Sequence, residues 1–127
     1  MDEMQERRRA PRIRVAGRLG ARARATLDVR LLDVSLTGAR IEHYDVLRPG
    51  ATYAFEFPPV LGPLTLSAKV VHSTIIGTEK TTEGERLLRY QSGLAFITPN
   101  ADQQATLTGI LERIPPGGGL GNARIII

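Results

Sequence analysis

Apolar residues in this chain recur at every second position, segment after segment, and change to a helical spacing only near residue 107. Ala25, Leu27, Val29 and Leu31 alternate with Thr26, Asp28, Arg30 and Leu32. Tyr53, Phe55 and Phe57 share one face of a later segment. Leu64, Leu66, Ala68 and Val70 share a face of the next, opposite Thr65, Ser67 and Lys69. A period of two lays one side of a β-strand on a core. Turn-forming residues separate these segments at Asp33 to Gly38, Pro49-Gly50 and Pro58-Pro59. The first strand is expected to end at Asp33, with Gly38 at positive φ where the chain reverses. Residues 39–44 then complete a hairpin. The fourth strand runs toward Ile76, residues 77–84 read as a polar loop, and a fifth strand spans about Arg86 to Ile97. Gly93 inside it marks a bulge or a close backbone approach.

Leu107, Ile110, Leu111 and Ile114 follow the i, i+3, i+4, i+7 spacing of a helical stripe. Asn100 is the expected N-cap, with Gln103 completing a capping box. Gly109 weakens this helix by about 1 kcal/mol relative to Ala, and Pro115-Pro116 ends it. The tail that follows is Gly-rich and then apolar. For its three terminal isoleucines, docking on the domain, joining a partner and disorder all stay open. At 127 residues the chain is long enough for one domain with one core. Five or six short strands and a late helix predict a small antiparallel barrel closed by that helix. Closure also protects strand edges that carry few charges.

The residue inventory narrows the function. There is no Cys, which excludes disulfides, thiolate zinc sites and thiol nucleophiles. The two histidines, His43 and His72, lack metal-ligand spacing and read as ordinary strand residues. Ser35 has no G-x-S-x-G elbow around it, and no G-x-x-x-x-G-K-[ST] phosphate loop occurs. No catalytic residues, metal or cofactor are expected, and the chain does not read as an enzyme. Aromatics make up 5% and Trp is absent, which argues against a stacking platform for nucleic acid. No run approaches the roughly twenty apolar residues of a membrane span. The acidic, polar N-terminus is not a signal peptide, so a cytoplasmic location is expected.

Net charge is +4 but uneven: residues 1–30 hold nine Arg against four acidic residues, and the remainder is slightly acidic. The planar fork of Arg matches phosphate oxygens and the O6/N7 edge of guanine. An ionised Asp accepts from the N1–H and N2–H donors on the other guanine edge, and Ser both donates and accepts. Arg8, Arg12, Asp33 and Ser35 thus supply both halves of a guanine-plus-phosphate recognition set. R-x-x-x-R also occurs at Arg14/Arg18 and Arg18/Arg22, and Asp, Ser and Gly are common turn residues. Specificity comes from the order and spacing of the two motifs around a strand.

On these residues the chain resembles the PilZ domain family, bacterial receptor modules for cyclic di-GMP. Arg8-Arg9-Ala10-Pro11-Arg12 matches the family's R-x-x-x-R, and Asp33-Val34-Ser35-Leu36-Thr37-Gly38 matches its [DN]-x-S-x-x-G. Gly93-Leu94-Ala95-Phe96 matches a later G-x-x-F, and the resemblance covers about Glu6 to Ile114. It implies an all-β fold, a six-stranded antiparallel barrel with a C-terminal helix. Residues 1–12 would be a flexible arginine lead-in, 13–114 the barrel and helix, and 115–127 a Pro/Gly-rich tail. It also implies cyclic di-GMP on the outer face, with Arg8 and Arg12 on phosphate and guanine and Asp33 and Ser35 on a guanine edge. Gly38 would shape the turn. Arg7, Arg9 and Gly93 are further candidates, and an extra cation at Arg7 would favour an intercalated ligand pair over a single ligand. The implied output is an unidentified protein partner in trans, without nucleic acid or membrane insertion. The alternative is a nucleotide-independent adaptor that acts by protein–protein contact.

Overall fold

The computed structural model describes residues 25–115, 117 and 119–127. Its strands are β1 (Thr26–Val34), β2 (Gly38–His43), β3 (Thr52–Glu56), β4 (Thr65–Lys80), β5 (Arg86–Phe96) and β6 (Asn122–Ile126). Among the described residues one α-helix, α1 (Ala101–Arg113), lies between β5 and β6. The strands close into an antiparallel barrel in the order β1-β2-β5-β4-β3-β6. The expected six-stranded barrel is therefore present, and β6 supplies its sixth strand. The segment read as a Pro/Gly-rich tail after residue 114 contains this strand, so the barrel extends past that boundary.

β6 joins β1 to β3 and seals the wall. Ile125 is paired with Leu27 on one side and Phe55 on the other, and it is fully buried. Of the three placements open for the terminal isoleucines, docking on the domain is the one observed. Phe55, Phe57 and Phe96 cluster beside it, with Phe55 and Phe57 edge-to-face at 5.0 Å. Leu107 and Ile110 bring α1 into the same core. The helix begins as its sequence indicates. The Asn100 side chain accepts from the Gln103 N–H at 2.8 Å, and the Gln103 side chain accepts from the Asn100 N–H at 2.9 Å. At its other end Arg113 donates to the Leu61 carbonyl at 2.7 Å.

β4 and β5 are longer than the barrel is tall. β2 leaves β5 at Tyr90, and β3 leaves β4 at Lys69. Beyond those points β4 and β5 continue alone as a two-stranded ribbon to the Lys80–Arg86 pair. The polar loop expected over 77–84 is thus shorter, because the strand persists to Lys80 and only residues 81–85 turn. The ribbon is wet on both faces, so its residues need no apolar alternation, which hid the strand.

One polar chain crosses the core where the ribbon leaves the barrel. His43 is 1% exposed and stacks on Tyr90 with ring centroids 5.5 Å apart. Its Nδ1–H donates to the Asp45 carbonyl at 2.7 Å, and Nε2 is hydrogen-bonded to the Ser92 hydroxyl at 2.6 Å. The Ser92 and Ser73 hydroxyls are hydrogen-bonded at 2.8 Å. β2, β5 and β4 are tied together by this chain.

Ile125→Ala removes a fully buried side chain at the closing seam and is expected to destabilise the fold by about 2–5 kcal/mol, read as a lower urea midpoint. Burial holds the His43 pKa below its ordinary 6.5, outweighing the Asp45 carbonyl and the nearby carboxylates of Asp45 and Glu42. The unfolded chain therefore binds the proton more readily. Its contribution to stability is complete above pH 6.5 and falls as pH drops through that value, by at most about 1.4 kcal/mol per pH unit. Urea melts at pH 7.5 and 5.5 should show this loss, and His43→Gln should remove most of it; an unchanged slope in that variant would refute the assignment.

Candidate ligand-binding face

Side chains on a paired strand alternate between the two faces, so strict alternation from buried Leu31 would carry Asp33 into the core. One extra residue prevents this. Leu31 pairs with Ile41 and Asp33 pairs with Arg40, so Leu32 is a bulge that shifts the phase. Asp33 is turned outward as a result. The same device operates in β4. Val70 pairs with Leu94 and His72 pairs with Gly93, and the extra residue Val71 turns His72 out and Ser73 in. Asp33, Arg40, Gly93 and His72 then form one row across β1, β2, β5 and β4. The row spans three inter-strand spacings, about 14 Å.

Asp33 is held by Arg40. The guanidinium donates through Nε to Oδ2 at 2.7 Å, and Nη2 forms an ion pair with the same oxygen. Oδ1 accepts no hydrogen bond from the described residues. Ser35 sits in the β1–β2 turn, its N–H on the Gly38 carbonyl at 2.8 Å. The Ser35 hydroxyl accepts from the Thr37 N–H at 3.2 Å and lies 3.2 Å from the Thr37 hydroxyl. This is the local side-chain-to-backbone closure expected of a polar turn.

Gly38 serves a different purpose from the one expected. It is not among the positive-φ glycines. A methyl at this position would overlap the carbonyl oxygen of Leu94, so glycine is needed for the close approach of β2 to β5. Gly93 is where a close approach was expected, and the neighbour is a side chain. A Cβ built there would lie 2.5 Å from His72 Nε2. The His72 ring occupies the space that a side chain at 93 would fill.

Asp33, Ser35, Gly38 and Gly93 therefore lie at one region of the barrel wall. Arg7, Arg8, Arg9 and Arg12 lie outside the described residues. Sequence reasoning missed Arg40, two residues after the motif glycine, and His72. Both depend on bulges that a period-two reading does not anticipate. Arg40 still had a visible signal, because a charge following the turn on the outer parity of β2 is a natural partner for Asp33.

A depression of about 590 Å³ lies between the ribbon and the barrel and contains none of these residues. It is lined by Asp28, Arg30, Glu42, Tyr44, Glu79 and Arg89 among others. Its charges are largely matched internally. Glu42 pairs with Arg89 at 2.7 Å and with Arg30 at 3.4 Å, and the Tyr44 hydroxyl donates to Glu79 at 2.8 Å. The bond to Glu79, with some burial, raises the Tyr44 pKa above its usual 10.0. These contacts brace the ribbon against the wall. Among the described residues, no group of His, Cys, Asp and Glu is arranged to hold a metal ion, and no helix is long and apolar enough to cross a membrane.

A family model described as the PilZ domain matches residues 6–113. No curated protein and no solved structure matches the chain significantly. The matched span contains both the arginine motif and the Asp33–Gly38 turn, and it covers most of the barrel together with α1. The chain belongs to the PilZ domain family, a family of cyclic di-GMP receptor modules.

Proposed function

We propose that this protein is a cyclic di-GMP-binding effector that signals by changing the surface it shows to a protein partner in trans. The observation that carries the reading is the outward-turned Asp33 with Ser35 beside it, on a barrel that follows an R-x-x-x-R segment. Asp33 offers its carboxylate to the N1–H and N2–H donors of guanine. Arg40 acts as a positioning residue, because the guanidinium engages only Oδ2 and leaves Oδ1 for the ligand. Arg8 and Arg12 supply forks for phosphate and the second guanine edge, with Arg7 and Arg9 adding charge. At the far end of the row, the flat ring of His72 lies over Gly93.

A cationic arm that meets a dianion on a polar wall changes both the charge and the shape of that wall. A partner that binds only the closed form reads ligand occupancy without any catalysis. No cofactor is part of this reading, and the ligand is the signal itself.

Titration calorimetry with cyclic di-GMP should show saturable binding at micromolar affinity or tighter, about −8 kcal/mol or better. Arg8→Ala, Arg12→Ala and Asp33→Ala should each weaken it at least about tenfold, the equivalent of about 1.4 kcal/mol. Added salt should lower affinity as well. No heat at high ligand concentration in the wild-type protein would sink the reading. Full partner recovery by an Arg8/Arg12 double variant would favour the adaptor function instead. Arg40→Ala should weaken binding less than Asp33→Ala does, by about three- to tenfold. Arg40→Lys should fall between Arg40→Ala and wild type. Loss in Arg40→Ala as large as in Asp33→Ala would show that Arg40 contacts the ligand directly.

A further inference from the structure

The ribbon leaves one long strand edge open. β3 covers β4 only from Thr65 to Lys69, and Val70 is met by the backbone of Gly50 and Ala51. From Val71 to Lys80, no backbone group among the described residues pairs with the edge facing away from β5. Unpaired edges of this length template the addition of another strand, and proteins ordinarily guard them with charge, proline or bulges, of which this edge has only the bulges at Val71 and Ile76. Here eight consecutive residues, Val71 to Thr78, include no proline, lysine, arginine or carboxylate. Val71, Ile75 and Ile76 are 57%, 56% and 41% exposed.

The edge is also self-complementary. An antiparallel pairing with a two-fold axis between Ile75 and Ile76 sets His72 opposite Glu79, Ser73 opposite Thr78 and Thr74 opposite Gly77. The register with β5, in which Ile76 is a second bulge between Ile75 and Gly77, fixes the face of each paired residue. His72, Thr74, Gly77 and Glu79 share the outer parity, opposite Gly93, Gln91, Arg89 and Leu87. Ser73 and Thr78 share the inner parity, opposite Ser92 and Leu88. Every one of these pairs joins residues of the same face, as an antiparallel ladder requires. The axis places Ile75 and Ile76 of both chains in one apolar cluster. His72 faces the carboxylate of Glu79 at each end.

We propose that a second copy of this chain pairs with this edge, β4 to β4, and joins the two ribbons into one four-stranded sheet. The arrangement closes on itself, since an isologous two-fold contact uses up both β4 edges and gives a dimer rather than a filament. The ribbon is prepared for this by the Tyr44–Glu79 and Arg89–Glu42 contacts, which hold it in place before any partner arrives. A contact confined to two strands of ten residues is small, so the dimer forms at raised protein concentration and exchanges readily.

Sedimentation velocity on the full chain, over a dilution series from low to high micromolar, tests this without nucleotide. Wild type should move from monomer to dimer mass as concentration rises. Ile76→Lys should stay monomeric throughout, while Val60→Lys, a charge placed on an exposed residue away from the ribbon, should dimerise as wild type does. The chain has no native cysteine, so a Thr74→Cys/Gly77→Cys double variant provides an independent reading. Positions 74 and 77 are too far apart along one strand to bridge within a chain, yet they lie opposite each other in the proposed pair. Oxidation should give a covalent dimer on a non-reducing gel. The proposal is overturned by wild type that stays monomeric over the series, which would leave the edge for a different protein's strand. It is equally overturned by Ile76→Lys that dimerises normally, or by a cysteine variant that does not cross-link under conditions where wild type is dimeric.

Discussion

Strict alternation of side chains along a paired strand is the constraint on which this molecule depends. A small barrel must send every second residue inward, and a recognition surface must send particular residues outward. The two demands conflict at Asp33 and His72, whose distances from Leu31 and Val70 assign them to the core. Single-residue bulges at Leu32 and Val71 resolve both conflicts. Each restores apolar or hydrogen-bonded residues to the interior beyond it, and each delivers one polar side chain to the same stretch of wall. The core and the candidate ligand face are consequences of one phase choice made twice.

Much of the fold was legible in the sequence because burial and period coincide. The apolar faces of β1, β3 and β4 could be read residue by residue. So could α1 and its Asn100/Gln103 capping box, since the stripe and the cap are local signals. The rest was hidden for physical reasons. β6 carries too few residues to establish a period and follows a glycine-rich stretch, so its membership of the barrel comes only from long-range pairing with β1 and β3. The ribbon beyond Ile76 is solvated on both faces and shows no alternation. Within the site, the turn chemistry of Asp33 to Gly38 was visible. The Arg40 pairing was signalled only by a charge on the outer parity of β2, because the pairing itself exists only after the bulge has reset the register.

Polar groups in this barrel are handled according to depth. At the surface, Asp33 and Arg40 form an ion pair that water and salt can compete with, which leaves the carboxylate open to exchange. Deeper in the barrel, His43, Ser92, Ser73 and the Asp45 carbonyl are hydrogen-bonded to one another, at the junction where three strands must keep their spacing. The first arrangement suits a face that receives a ligand. The second suits a joint that must remain still while the face changes.

The position of β6 bears on how the chain becomes a barrel at all. β1 and β3 are joined only through a strand that comes about 70 residues after β3 in the chain. During synthesis at roughly 5–20 residues per second, β3 waits about 4–14 s and β1 about 5–19 s with a bare edge before their common neighbour emerges. The nascent protein therefore passes through an open, curled sheet with Leu27 and Phe55 uncovered, and closure is a single late event. For a module this small, the vulnerable stage is its own assembly on the ribosome, and that is where a chaperone would make the largest difference to yield.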